Sequence, residues 1–435
     1  MGEDYEAWRA AQETPLFRCV RLNPNKIDEQ TWRNEFPNSK RIESYPGLLY
    51  TIDESMTSLG NHPFHHAGCF YLQDPSASLA VEALTVSKGD KILDACASPG
   101  GKSTQILSRL DGSGLLVSNE IDAKRNLTLR FNIQRYGDDN VIVTQSDTQT
   151  IGKNLTGYFD KILIDAPCSG MGMFRKDPKG IAYFSQSNID HCVRMQKEIL
   201  ENIYPCLKQD GILVYSTCTF SKEENEGQIE SFLLRHPDMV IESLPFEIGR
   251  KGLFENNSDL SKSRRVTVLE GGEGHFICRM RKTGPAEKPR ISVATPSKTP
   301  LVKTFVETYL DPAILTYMIG DRIYGASNPL PLLTGLNVTQ IGAYIGQVIN
   351  QRVEIDHAFA TSKIANGYFK NVLDLNESET QRFLRGETLF NDTAKGYVLL
   401  RYKGKIFALG KGDGQQIKNK FPKGLRTLQK FSENN

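Results

Sequence analysis

Cysteine is scarce and unpaired in this sequence: there are eight in 435 residues, at 19, 69, 96, 168, 192, 206, 218 and 278, with no C-x-x-C among them. That density excludes a disulfide framework, and the missing pairs speak against a zinc ribbon or finger. Long apolar runs are also lacking. No stretch approaches the roughly 20 residues that span a bilayer, and the opening Met-Gly-Glu-Asp-Tyr-Glu is acidic with no apolar core behind it. The expectation is a cytoplasmic protein with reduced thiols and no membrane or metal partner. Internal repeats and low-complexity segments are absent, which excludes solenoids, collagen and coiled coils. What remains is an ordinary globular composition, 39% hydrophobic and 24% charged, in a chain longer than one average domain needs.

Excess charge is lacking too, since 53 Lys and Arg stand against 51 Asp and Glu. The near-balance hides an asymmetry. Residues 401–435 hold nine Lys or Arg (401, 403, 405, 411, 418, 420, 423, 426 and 430) and two acids, Asp413 and Glu433. A basic patch on an end module is what a polyanion partner attracts, although a charge run is as readily a solvated face.

Between Lys282 and Pro300 the stretch KTGPAEKPRISVATPSKTP is polar and proline-rich, and reads as a linker over 283–300. Upstream, short β-branched runs alternate with longer amphipathic segments: 91–96, 114–120, 141–146, 161–166 and 211–218. This predicts β-α-β units and a mostly parallel, doubly wound sheet. Asp122 is placed to cap a helix closed by Gly137, and 189–208 has helical spacing. A last strand is expected over 274–281. Residues 1–75 suggest a small α+β extension, and 396–412 alternates like a β-meander.

The first strand runs into Ala97-Ser98-Pro99-Gly100-Gly101-Lys102, where a doubly wound sheet brings backbone to a cofactor. The loop approaches a phosphate-cradling P-loop, but Cys96 occupies the position of its first glycine, and it is not the G-x-G-x-x-G of dinucleotide sites. Glu120 follows Gly101 by 19 residues at the end of the next strand. An acid there can accept both hydroxyls of a ribose; alone, it would read as a surface acid.

Two further strands end in cysteines, Asp165-Ala166-Pro167-Cys168 and Ser216-Thr217-Cys218. Ligands sit beyond the carboxyl ends of strands in open sheets, so both thiols should face the crevice of the Gly-rich loop. Buried cysteine is usually inert packing, the reading for Cys19, Cys69, Cys206 and Cys278. A thiol after a proline at a strand end suggests covalent chemistry instead. Methylating carbon 5 of a pyrimidine needs it, because that carbon is a poor nucleophile until a thiolate adds to carbon 6. A carboxyl group at ring nitrogen 3 takes up the developing charge, and the activated carbon then attacks a methyl sulfonium. A second acid–base group helps remove the carbon-5 proton and expel the thiol.

The segments DACASPGGKSTQI (94–106), SNEID (118–122), QSD (145–147), DAPCSGMGMFRKDP (165–178), STCTFSKEENE (216–226) and HPFHHAGCFYLQDPSASL (62–79) resemble the RNA cytosine-5 methyltransferases of the NOL/NOP/Sun type. With KGYVLLRYKGKIFALGKGDGQQIKNKFPKGLR (395–426), the chain is most similar to the bacterial 16S ribosomal RNA enzymes that carry a PUA-like domain. The resemblance implies an α/β Rossmann-like methyltransferase domain over 76–282, between an RNA-binding extension (1–75) and a basic PUA-like module (301–435). It implies that Cys96, Ala97, Ser98, Pro99, Gly100, Gly101 and Lys102 line an S-adenosylmethionine site. Glu120 would hold the ribose, Asp147 the adenine side, and Asp165 would face both methyl donor and base. Cys218 would be the nucleophile and Cys168 would assist release; DNA cytosine methyltransferases use the Pro-Cys thiol instead. Ser98 departs from the family's common alanine. The expected partner is RNA, either 16S rRNA or the small subunit, bound by a monomer.

Two groups of residues and the choice of function stay open in the sequence. His62, His65 and His66 could suggest metal but lack partnered ligands. Phe174, with Arg175 and Lys176, could contact RNA or simply pack its loop. Competing functions are a transfer RNA methyltransferase, a P-loop-like hydrolase and a non-catalytic RNA-binding assembly factor.

Overall fold

A computed structural model describes residues 4–431 apart from 17, 53–55, 57, 256, 290, 366–368 and 370. The outer ends of the first and last segments, 1–3 and 432–435, lie outside the described residues. The chain opens with α1 (Tyr5–Gln12) and a three-stranded antiparallel sheet. Its strands are β1 (Cys19–Leu22), β2 (Leu49–Thr51) and β3 (Phe70–Leu72), with α2 (Glu29–Glu35) and α3 (Pro63–His66) between them. Sequence periodicity says little here because strands of three or four residues are too short to alternate visibly.

From α4 (Pro75–Leu84) onward strand and helix alternate as expected: β4 (Lys91–Asp94), α5 (Gly101–Leu110), β5 (Leu115–Asn119), α6 (Ala123–Tyr136), β6 (Val141–Thr144), α7 (Thr148–Asn154), β7 (Phe159–Asp165), α8 (Gln186–Ile203), β8 (Leu207–Thr217) and α9 (Glu226–Arg235). The strands β9 (Met239–Glu242), β10 (Arg250–Lys251), β11 (Arg264–Val266) and β12 (His275–Lys282) follow. Strands β8, β7, β4, β5 and β6 lie side by side and parallel, and β12 joins antiparallel beside β8. Consecutive core residues split between the faces: Leu93, Val117 and Ile164 enter one cluster, Ile92, Leu116 and Leu163 the other. A parallel sheet covered on both sides needs that double burial. Chain order reverses between β4 and β7, so their carboxyl ends open the crevice where such folds bind ligands.

Asp122 caps α6 by accepting from Arg125 N, and Gly137 closes it at φ +83°. Helix α8 stops at Ile203, not 208, because Pro205 has no N–H to continue it. Strand β8 consequently starts at Leu207, with Asp210 at φ +60° where the chain bends.

The C-terminal part forms two sheets. One contains β13 (Leu315–Ile319), β14 (Arg322–Ala326), β16 (Ala343–Ile349) and β17 (Arg352–Ile355), after α10 (Pro300–Tyr309); between β14 and β16, strand β15 (Val338–Ile341) pairs antiparallel with β6. The chain after residue 300 thus extends the central sheet. Residues of the stretch expected to be a linker lie against the body, with Ala294 N donating to Leu330 O at 2.8 Å and Val293 bridging Pro331. The physical reason is that β15 must return to the sheet edge, which draws the connecting chain along it. After α11 (His357–Ala360), the second sheet holds β18 (Val372–Asp374), β19 (Leu389–Phe390), β20 (Lys395–Tyr402), β21 (Lys405–Asp413) and β22 (Gln416–Asn419), with α12 (Glu377–Leu384). The expected meander over 396–412 is the β20–β21 hairpin.

The two ends of the chain share one core, in which Val20, Trp32, Tyr50 and Phe70 meet Leu400, Tyr402 and Phe407. The histidine cluster belongs to that junction. The His62 ring packs edge-on to Phe36, Phe64 and Phe431 with Nε2 3.1 Å from Glu35 Oε1, and His66 lies against Phe421. Among the described residues no helix is long and apolar enough to cross a membrane.

Candidate active site

Most residues of the site stand at or just past the carboxyl ends of the central parallel strands. After β4, Ala95 N donates to Leu163 O and Ala97 N to Asn119 O, which pins the Gly-rich loop between the neighbouring strands. Gly100 has φ +110°, and a Cβ there would meet Leu129 Cδ1 at 3.3 Å and Asn132 Cβ at 3.4 Å. The loop therefore rests on α6 and then opens α5, leaving helix N–H groups free for an anion. Ser98 adds to that seat, since its hydroxyl donates to Arg125 O at 3.0 Å while Asn132 Nδ2 donates to Pro99 O at 2.9 Å. Beneath lies Asp94, fully buried. Ser103 donates to its Oδ2 at 2.7 Å and its Oδ1 has no partner. Burial pushes its carboxyl up to about 7. Cys96, at the same strand end, has its thiol pushed up by burial.

Glu120 is 4% exposed at the end of β5, with Asp122 N donating to Oε1 at 3.0 Å and Arg125 3.3 Å from Oε2. Asp147 follows β6. It is exposed and caps α7, both oxygens accepting from Thr150 at 2.8 Å, and these bonds hold its carboxyl below the usual range.

At the switch point Lys102 Nζ donates to Asp165 Oδ2 at 2.6 Å, and Ser216 Oγ donates to Oδ1 at 2.8 Å. His275, on β12, brings Nε2 to 3.5 Å from Asp165 Oδ1. Burial disfavours the carboxylate, but Lys102 and His275 overcome it and hold Asp165 well below the ordinary range. The Cys168 and Cys218 sulfurs are 3.3 Å apart. Their loops are clamped by Glu224, completely buried, which accepts from Ser169 N at 2.9 Å and Gln196 Nε2 at 3.0 Å. Gly172 N donates to Cys218 O at 2.9 Å, and any Cβ on Gly172 would fall 2.9 Å from that oxygen. Glycine is required by this approach of the Pro-Cys loop to the Thr-Cys loop.

The thiols are not equivalent. The Cys168 S–H bond lowers the Cys218 thiol; burial and Asp165 oppose this, and Lys102 assists it. Cys168 moves the other way, raised by its bond to Cys218 and by burial, with Glu224 adding to the effect. These directions favour charge on the Cys218 sulfur and the proton on Cys168. Cys218 should be alkylated by iodoacetamide with a midpoint below the ordinary thiol value. Cys168→Ala should move that midpoint upward. Peptide mass spectrometry across pH reads both, and an unmoved midpoint would contradict the assignment.

Other sequence candidates have structural partners. Phe174 packs edge-on to Phe184, Arg175 pairs with Glu273 at 3.0 Å, and Lys176 with Asp74 at 2.9 Å. Cys19, Cys69, Cys206 and Cys278 are buried, each thiol raised chiefly by burial. Sequence reading missed Asp94, Glu224 and His275. Glu224 lies inside the quoted segment 216–226, but nothing in its spacing signals complete burial; His275 comes from a strand 110 residues beyond Asp165.

The family profile described as "16S rRNA methyltransferase RsmB/F" matches residues 81–281. Profiles for the N-terminal domain of 16S rRNA methyltransferase RsmF and for the methyltransferase RsmF PUA domain match 1–75 and 370–427. The ribosomal RNA small subunit methyltransferase F of Psychromonas ingrahamii is 33% identical over 97% of this chain and 93% of its own. That of Vibrio vulnificus is 30% identical over 95% and 92%. Among solved structures, a methyltransferase homolog protein from Pyrococcus horikoshii is 30% identical with TM-score 0.57, over 65% of this chain and 91% of that one. NSun6 from the same organism, 22% identical with TM-score 0.58 over 65% and 95%, shares the fold. The profile over the site-bearing domain and full-length relatives at this identity agree: the chain belongs to the 16S rRNA methyltransferase RsmB/F family.

Proposed function

We propose that this protein transfers a methyl group from S-adenosylmethionine to carbon 5 of cytosine in 16S ribosomal RNA, through a covalent adduct with Cys218. The observation that carries this reading is the thiol pair at 3.3 Å beside the Lys102–Asp165 ion pair, all at the switch point of the sheet. The relatives named for the small ribosomal subunit support the choice of RNA.

The residues present suit the methyl donor. The α5 N-terminus offers N–H groups to its carboxylate, the unpartnered Asp94 Oδ1 suits its ammonium, and Glu120 suits its ribose. When bound, it supplies an electrophilic methyl on a sulfonium. Asp147, turned into a helix cap, would reach the adenine only by sharing its Thr150 bonds.

On the RNA side, Cys218 attacks carbon 6 as thiolate, forming the C–S bond as the C5–C6 π pair moves through the ring toward nitrogen 3, where the Lys102 ammonium offsets the charge while ionised Asp165 accepts from the amino edge. Lys102 holds Asp165 in orientation and offsets its charge next to the incoming thiolate. After methyl transfer, the carbon-5 proton passes to a solvent base, its bonding pair re-forms the C5–C6 double bond, and the C–S pair departs on Cys218 as thiolate. Cys168, already in contact with Cys218, is placed to donate a hydrogen bond to the departing sulfur. On the basic module Lys420, Lys423 and Lys430 are exposed without an ion pair among the described residues, and would add sequence-tolerant phosphate contacts.

Bisulfite sequencing of 16S rRNA and transfer RNA from cells with and without the gene tests the reading. A protected 16S cytosine that becomes convertible on deletion is the expected result. Loss of protection in transfer RNA alone would transfer the activity to that substrate, and no change in either would favour a non-catalytic role.

A further inference from the structure

A cleft of about 240 Å³ lies between α6 and the sheet that holds β14 and β16, lined by Leu127, Arg130, Phe131, Arg322, Tyr324 and Tyr344. Helix α6 has two working faces. Leu129 and Asn132 seat the Gly-rich loop, whereas Leu127, Arg130, Phe131 and Gln134, at helical spacing, turn to the cleft. The cleft is centred about 12 Å along α6 from Asp122, counting about 1.5 Å per residue.

Arg130 feels Arg322, Tyr324 and Tyr344, and its buried Nε has no hydrogen-bond partner, while the acids Asp356 and Asp321 act on the Tyr344 wall. Tyr324 is fully buried beneath both guanidiniums and donates its own proton to Thr339 O at 3.2 Å, so its oxygen faces them as an acceptor. Two guanidiniums held together on the Arg130 side favour an anion there. The walls are apolar and aromatic. Phe131 is 40% exposed and Leu127 57%. Tyr344, half-buried and cross-strand to Tyr324 with ring centroids 5.4 Å apart, is fixed by the β14–β16 pairing. Rigid rings next to paired arginines fit a nucleotide with its base unstacked from neighbours.

We infer that this cleft is a second RNA contact, taking a single-stranded nucleotide of the substrate with its phosphate at Arg130 and Arg322 and its base against Phe131 and Tyr344. It rests on the RNA reading above and adds a site away from the basic C-terminal module. The test is the salt dependence of affinity for a single-stranded 16S rRNA fragment, using the full chain. Each phosphate contact on a single strand contributes a slope of about 0.7 in log affinity against log salt. Arg130→Gln with Arg322→Gln, which together hold one phosphate, should therefore lower the slope by about 0.7, with S-adenosylmethionine affinity unchanged by calorimetry. Arg130→Lys with Arg322→Lys should keep the slope. Phe131→Ala with Tyr344→Leu, which alters no charge, should leave the slope intact and weaken binding about tenfold or more; it also decides the matter should the glutamine pair fail to fold. Unchanged slope and affinity in folded variants overturn the inference. So does loss of binding only to the assembled small subunit, which would make the cleft a protein contact. A wild-type protein that binds no RNA sinks the underlying reading instead.

Discussion

Cys218→Ala is expected to abolish methyl transfer together with every covalent enzyme–RNA complex, while Cys168→Ala is expected to accumulate such a complex. Without the attacking thiolate, carbon 5 of the base never becomes nucleophilic, and no other thiol can replace it. The Cys168 thiol is raised by its contact with Cys218, and Cys96 is raised by burial. Removing Cys168 leaves attack and transfer possible but withdraws the hydrogen-bond donor 3.3 Å from the departing sulfur. Elimination then stalls, and an adduct should survive denaturing gel electrophoresis. Cys168→Ala also removes the bond that lowers Cys218, so adduct formation itself should be slower at neutral pH and recover as pH rises. The reverse pattern, with adducts in Cys218→Ala and none in Cys168→Ala, would point to the DNA-type use of the Pro-Cys thiol.

Lys102→Met should be the most costly change to a single charge. It leaves Asp165 without its 2.6 Å partner in a site where burial already opposes the carboxylate. Breaking a buried pair costs about 3–5 kcal/mol, and the low end applies because the Asp165 side chain keeps 28% exposure. Asp165 has a depressed folded value, so its contribution is complete above the ordinary carboxylate range and is lost as pH falls through the depressed value. Wild type should therefore exceed Lys102→Met by a constant margin near neutral pH, and the margin should close only in strong acid. Chemical denaturation across pH measures it. Activity should fall by about 10²–10³, the scale of one lost preorganised charge. A stable variant with ordinary turnover would remove Lys102 from the mechanism.

The central sheet was legible in the sequence because its strands are buried on both faces, so β-branched runs such as 161–166 mark them without ambiguity. Asp122 and Gly137 bounded α6 by local chemistry, a cap and a left-handed residue that any sequence reading can recognise. At the ends of the chain only the outline was legible, an α+β extension and the hairpin at 396–412; their shared core was not, since β1, β2 and β3 are three or four residues long and their apolar partners lie more than 300 residues away in β20 and β21. The histidines illustrate the same limit. Their spacing resembles ligands, but their rings are filling a junction between the two ends of the chain.

Residue type and local order alone thus determined the parallel sheet, the Gly-rich loop and two thiols at strand ends, because strand burial, turn chemistry and the rule of carboxyl-end sites act over short stretches. Tertiary structure alone made the two thiols inequivalent, since the Cys218 proton depends on Cys168, Lys102 and Asp165 arriving from two other segments. It alone buried Glu224 between the two cysteine loops, brought His275 to Asp165 and carried β15 back to the edge of β6. Electrostatic effects within a few ångströms depend on which distant segments meet, and no spacing in one sequence records that meeting.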